Sequence, residues 1–230
     1  MSEDWRYDEF RQLAVDFDDP EEVRVFEAKH PSDPAAAREA LARIGVGAGT
    51  VLVDMGCATG WFTVEAARLG AVAHGVDTSA RMVEFARAKA RDAGVEAAFH
   101  QGGILSYEHA GPAPDVVVTR FVLHHMPDFW KSIAIGRMAR LLRPGGRLYY
   151  RDMTYSFDPK DYESVIARWM VESPKRCGYS KAEMFGHLRD EYTTYAWIME
   201  GLFERAGFEV VSRELTPDGM QAEYLCRVRG

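Results

Sequence analysis

Short apolar runs recur at 51–54, 72–76, 95–99, 115–119 and 146–151, and longer helical patterns at 60–69, 79–93 and 127–142 lie between most of them. Strands that alternate with helices and are themselves almost continuously apolar imply a parallel sheet covered on both faces. A half-exposed strand would alternate apolar with polar residues instead. Gly70 and Gly94 stand at the ends of helical patterns, where a left-handed residue is wanted. Asp33-Pro34 pairs a cap with a first-turn proline and opens a helix, AAAREALARIG, that stops at Gly45. Two polar segments with helical character, at 3–14 and 20–29, precede it.

The rhythm changes after residue 152. A polar and aromatic segment runs to about Glu191, with a cap at Asp158-Pro159 and a capping box at Ser180–Glu183. A helix over 194–206 ends at Gly207, and two strand-like runs, FEVVSREL (208–215) and QAEYLCRV (221–228), flank the hairpin turn TPDG. The fold class is therefore α/β, a Rossmann-like doubly wound sheet that is mostly parallel and ends in an antiparallel pair, plus a helical lid. The expected divisions are an N-terminal helical cap (1–32), a nucleotide-binding core (33–152), a lid insert (153–195), and a helix and strand pair completing the core (196–230).

The chain has 230 residues, 47% of them apolar, enough for one sizeable core. Its formal charge of −7 repels a phosphate backbone, which argues against nucleic acid as a partner. No apolar run is long enough to span a bilayer, and the polar N-terminus, MSEDWRYDEF, lacks a signal-peptide core. The three cysteines, 57, 177 and 226, form no C-x-x-C pair. That argues against a disulfide framework or a zinc site, fits a cytoplasmic location, and leaves no residue assigned to a metal.

Asp54 ends the first strand, and the loop from Met55 to Gly60 joins it to a helix. Ligands of open α/β sheets sit beyond the carboxyl ends of the strands, where glycines allow close approach to free N–H groups at a helix start. Asp77, 23 residues after Asp54, ends the second strand, and an acid there accepts hydrogen bonds from both hydroxyls of a ribose. The loop reads D-x-G-x-x-x-G rather than the dinucleotide G-x-G-x-x-G. Asp54 would repel a pyrophosphate but suits a cation. S-adenosylmethionine, an adenosine carrying a sulfonium and an ammonium, meets both requirements.

Four stretches in order, VLVDMGCATGWF, HGVDTS, DVVVTRFVLHHMPDFWKS and MARLLRPGGRLYYRD, resemble the motifs of class I S-adenosylmethionine-dependent methyltransferases, closest to the ubiquinone/menaquinone-biosynthesis-like small-molecule branch. The resemblance is strong over residues 35–152. It implies that Asp54, Gly56 and Gly60, with Cys57 and Thr59 in the same loop, hold the methionine part, that Asp77 binds the ribose, and that Thr78, Met82 and Ile104 line the adenine. The family usually has an acid where Gly103 stands, so that side-chain contact is missing here and backbone at 102–104 is left to bond the adenine. Arg120 falls where members meet the amino-acid end of the cofactor, and Tyr7 belongs to a segment expected to fold over it.

Methyl transfer from a sulfonium needs alignment and exclusion of water, and a general base only when the nucleophile arrives protonated. His124 and His125, after the fourth strand, and Asp152, ending the fifth, are the candidates for that chemistry, against the alternative that they cap and pack. His109 and His187 read as solvated, Cys57 as a small filler and Cys226 as core. Tyr155, Phe157, Tyr162, Trp169, Tyr179, Phe185, Tyr192, Tyr195 and Trp197 crowd the late segment, either as an apolar acceptor pocket or as the core of a small helical subdomain. The acceptor read from these features is a small, partly aromatic or apolar molecule, and a homodimer is compatible with the sequence. The absent N-P-P-[YF] tetrad argues against the amino- or base-methylating group that carries it. The competing readings are a tRNA or protein methyltransferase, which the acidic charge and the lack of an added binding domain disfavour, and a non-catalytic S-adenosylmethionine-binding protein.

Overall fold

A computed structural model describes residues 5–11, 17, 19–177 and 180–229, with side chains placed for all of these except 175–177. Helices α1 (Pro20–Lys29) and α2 (Pro34–Arg43) lead into alternating elements: β1 (Val51–Met55), α3 (Trp61–Arg68), β2 (Val72–Asp77), α4 (Ala80–Ala93), β3 (Ala98–Gln101), β4 (Val116–Arg120), α5 (Asp128–Leu141) and β5 (Arg147–Tyr155). The late segment contributes α6 (Tyr162–Cys177), α7 (Lys181–Arg189) and the two-residue β6 (Thr194–Tyr195). Helix α8 (Ala196–Arg205) and strands β7 (Phe208–Leu215) and β8 (Gln221–Val228) complete the chain.

The strand order is β3-β2-β1-β4-β5-β8-β7, and β6 adds a short parallel pairing at the far end of β5. Neighbours from β3 to β5 pair in parallel, whereas β8 runs antiparallel to both β5 and β7. The central strands owe their position to their composition. Leu52, Val53 and Val116–Val118 have no exposed surface, because helices cover both faces of the sheet. One core packs Val53, Val117 and Leu148 with α5 and α8, and another packs Leu52, Val116 and Val118 with α2 and α3.

The caps form as the sequence implies. Asp33 accepts from the N–H groups of Ala35 and Ala36, Ser180 and Glu183 form the reciprocal box of α7, and Gly94 closes α4 in the left-handed region. Two expectations change. Residues 5–11 of the proposed first helix are not helical, and its remaining positions, 3, 4 and 12–14, lie outside the described residues. Strand β5 continues three residues past Asp152, because Met153–Tyr155 pair onward with Gln221 and with β6. Among the described residues, no helix is long and apolar enough to cross a membrane.

Candidate active site

The reversal of strand order between β1 and β4 puts the ends of β1, β2, β4 and β5 around one cleft. Asp54 is 3% exposed and accepts from Thr63 Oγ1 at 2.8 Å, which ties it to the first turns of α3. Burial pushes its pKa up to about 6 against the opposing pull of Arg120 and the Thr63 bond. The Arg120 guanidinium stacks over Trp61 and Phe62, 4.4 and 4.6 Å from their ring centroids. Asp54 and Arg120 thus put a negative and a positive group beside the same loop.

Asp77 shapes that loop. One of its oxygens accepts from Ala58 N–H at 2.9 Å and the other from Ser79 N–H at 3.0 Å. Ala58 is held at φ 47°, a left-handed backbone uncommon for a residue with a side chain. The loop glycines are also required by the protein's own packing. A side chain on Gly56 would collide with Val122, and a Cβ on Gly60 would lie 2.6 Å from Ala86 and 2.8 Å from Phe99. Both glycines also take positive φ, so protein packing and backbone geometry demand them. Cys57 fills space against Gly75 as a buried thiol. Thr59 is buried and bonds Glu27 of α1, whose carboxylate Lys89 also binds at 2.8 and 2.9 Å.

The N-terminal segment lies across this cleft. Tyr7 donates to the His125 carbonyl at 2.7 Å, and its ring and that of Trp5 sit about 6 Å from Trp130, at 6.0 and 6.1 Å. The Phe17 carbonyl accepts from Ser79 Oγ at 2.8 Å. Glu9 was missed by sequence reasoning. Its carboxylate accepts from Leu105 N–H at 2.8 Å and fills the space a Gly103 side chain would occupy. A carboxylate from the N-terminal segment thus lies against Gly103. Thr78 accepts from Gln101 through its carbonyl, and Met82 and Ile104 are buried beside the strand ends.

On the other side of the cleft, Asp152 is fully buried. One oxygen accepts from the N–H groups of Val122, Leu123 and His124, at 3.2, 2.8 and 3.3 Å, and the other accepts from Met153 N–H at 2.8 Å and bonds His124 Nδ1. These bonds hold its carboxyl below the usual range despite burial, and the same pairing raises His124. The residue caps the 3₁₀ turn Leu123–His125 after β4, not the segment that follows β5. His125 is different: burial and the neighbouring His124 push it down to about 3, and its Nδ1 is buried with no hydrogen-bond partner. It is therefore neutral near pH 7 and a weak base.

The late aromatic segment sorts into three groups. Trp169 is core, packed with Val165, Met184, Met153 and Met220. Tyr162, Phe185, Tyr192 and Trp197 are exposed. Tyr155, Phe157 and Tyr195 form a half-buried trio with ring centroids 5.3–5.8 Å apart. Tyr179 and the Cys177 side chain lie outside the described residues. His187 is not solvated as the sequence implies. It bonds Glu191, which also approaches His124. His109 is partly buried rather than solvated, bonding Tyr107 and the Pro112 carbonyl beside the His74 ring.

Residues 52–146 match the methyltransferase domain family. An uncharacterized methyltransferase of Bacillus cereus is 30% identical over 164 residues, 71% of this chain and 72% of the relative. The chain belongs to the S-adenosylmethionine-dependent methyltransferases. The fold of this methyltransferase is similar to that of magnesium protoporphyrin IX methyltransferase from Synechocystis with bound SAH, at TM-score 0.64 and 17% identity over 96% of this chain and 91% of that one. It is equally similar to the cyclase SpnF, at TM-score 0.67 and 17% identity over 85% and 80% of the two chains. One fold thus carries methyl transfer and ring formation, and the acceptor must be argued from the site.

Proposed function

We propose that this methyltransferase moves the methyl group of S-adenosylmethionine to a small, partly aromatic or apolar acceptor by in-line displacement. The observation that carries the reading is the paired placement of Asp54 and Asp77 at adjacent strand ends, with Asp77 pinning the loop between them. In this reading Asp54 faces the cationic end of the cofactor, Arg120 balances its carboxylate, and Asp77 takes the ribose hydroxyls. Gly56, Cys57, Thr59 and Gly60 shape the methionine side, while Thr78, Met82 and Ile104 line the adenine. Glu9 replaces the acid that Gly103 lacks and accepts from the adenine amino group. Tyr7 closes the cleft over the bound cofactor.

When bound, the cofactor supplies an already activated methyl on a good leaving group, so the protein's task is alignment and dehydration. The N-terminal segment excludes water on one side and the half-buried trio Tyr155, Phe157 and Tyr195 offers an apolar wall on the other. Asp152 has its lone pairs committed to backbone N–H groups and to His124, which fits an orienting role better than that of a base. The small-molecule branch, a cytoplasmic location and the exclusion of nucleic acid rest on the motifs, the cysteine usage and the acidic charge described above.

Supplying the protein with methyl-labelled S-adenosylmethionine and fractionated cell extract tests the proposal. Label is expected in the small-molecule fraction. Label appearing only in tRNA or protein would favour the macromolecular reading, and binding without any transfer would favour a non-catalytic one.

A further inference from the structure

Three ligating side chains that this function does not use converge beside the same strand ends. His124 lies on the turn after β4, His187 on α7, and Glu191 four residues further on. One ligand atom from each lies within 4.8 Å of the other two. His124 Nε2 is 3.5 Å from a Glu191 oxygen, and His187 Nδ1 bonds that same oxygen. A tetrahedral ion with bonds of about 2.0–2.1 Å holds its donors about 3.4 Å apart, so small side-chain adjustments, on the order of 1 Å, complete the set.

The surroundings support a ligand role. His124 bonds Asp152 through Nδ1, and Asp152 is itself anchored by four backbone N–H groups. That bond turns Nε2 toward His187 and Glu191, the order of carboxylate, imidazole and ion that orients ligands in metal sites. Two carboxylates, Asp152 and Glu191, face the imidazoles of His124 and His187, with His125 beside His124. Lys131, the cation that also acts on His124, is already engaged by Asp128 and the Tyr192 carbonyl.

We infer that His124, His187 and Glu191 bind a divalent transition-metal ion of the zinc type, with Asp152 positioning His124. Two imidazoles and a carboxylate suit such an ion, whereas magnesium and calcium prefer all-oxygen shells. Three protein ligands leave a coordination position open. The use of that position rests on the methyl-transfer reading. An acceptor hydroxyl bound there gives its proton to solvent water, its oxygen lone pair forms the new bond to the methyl carbon, and the electrons of the broken carbon–sulfur bond stay on sulfur. The ion would also tie α7 to the ends of β4 and β5.

The full chain, stripped with a chelator, should be titrated with Zn²⁺ and Co²⁺ by equilibrium dialysis and visible absorption, alongside S-adenosylmethionine calorimetry without metal. One equivalent of ion is expected, with Co²⁺ giving visible d–d bands, and His187→Ala and Glu191→Gln should each weaken binding at least tenfold, on the order of the losses seen when metal sites are disturbed. His100→Ala, in the separate pair with His74, should leave it unchanged. Cofactor binding retained by the ligand variants shows that they fold. Absence of stoichiometric binding, or binding indifferent to His187→Ala and Glu191→Gln, overturns the site. If metal binds as described while the cofactor does not, the functional reading fails and the metal site stands.

Discussion

The two sides of the cleft are built differently. On the cofactor side, the groups that matter come from adjacent strand ends, Asp54 on β1 and Asp77 on β2, and they are fixed by short-range bonds to Thr63, Ala58 and Ser79. On the proposed acceptor side, side-chain bonds hold the groups: buried His124 to buried Asp152 on β5, partly buried Glu191 to His187, and Tyr7 to the His125 carbonyl. The first arrangement follows from strand–loop–helix geometry and is general to the fold. The second depends on tertiary packing, and in the proposed reading it is the side that governs acceptor choice.

The contrast predicts that the acceptor side is the more fragile in stability and the cofactor side the more sensitive in binding. The largest effect should come from Asp152→Ala. It strands four backbone N–H groups and His124, and breaking a buried pair of this kind costs about 3–5 kcal/mol. Denaturant unfolding reads it directly, and a loss below about 1 kcal/mol would mean the turn after β4 holds without its anchor. Trp169→Ala should follow at about 3 kcal/mol as a core truncation, whereas exposed Trp197→Ala should stay within about 0.5 kcal/mol. Equal losses from the two would erase the division of the aromatic segment into core and surface.

Acidity should act on the cofactor side. Asp54 carries a folded-state pKa of about 6, raised by burial. The folded chain therefore gains stability from this group as the pH falls from 6 toward 4, and loses it as the pH rises through 6. Cofactor affinity runs the other way. It should fall as Asp54 protonates, and binding near pH 6 should release protons. Calorimetry in buffers of different ionisation enthalpy should show this at pH 6 but not at pH 8, and Asp54→Asn should abolish it. A proton release at pH 6 that survives in Asp54→Asn would move the titrating group elsewhere. The smallest effect concerns Glu9. Gly103→Asp should weaken cofactor binding several-fold by crowding the Glu9 carboxylate, and adding Glu9→Ala should restore it. Losses that simply add in the double variant would show that the two positions do not share one role.

Legibility in the sequence follows the same line. The apolar runs and cap residues forecast the parallel part of the sheet, the hairpin and most helix ends, because those depend on local periodicity and local bonds, whereas the strand order came only with the structure. The positions of Asp54 and Asp77 at the ends of β1 and β2 were legible because strand length and composition set them. Glu9 was not: nothing local marks a residue that docks 94 positions away on Gly103. His187 looked solvated for a related reason: Glu191 is its local i,i+4 neighbour, but only tertiary packing brings the pair to His124. The glycines at 56 and 60 stand out in the sequence, but the packing that also requires them does not. Val122, Ala86 and Phe99, not open space, occupy the side of each that a Cβ would take.

The central claim is that Asp77 and its neighbours hold S-adenosylmethionine at the ends of β1 and β2. Calorimetric titration of wild type and Asp77→Ala with the cofactor tests it most directly. Saturable one-to-one binding to wild type, weakened at least about tenfold in a folded Asp77→Ala, as loss of a charge-assisted hydrogen-bond acceptor implies, is the predicted result. Equal affinity for the two proteins, or no binding to folded wild type, would contradict it.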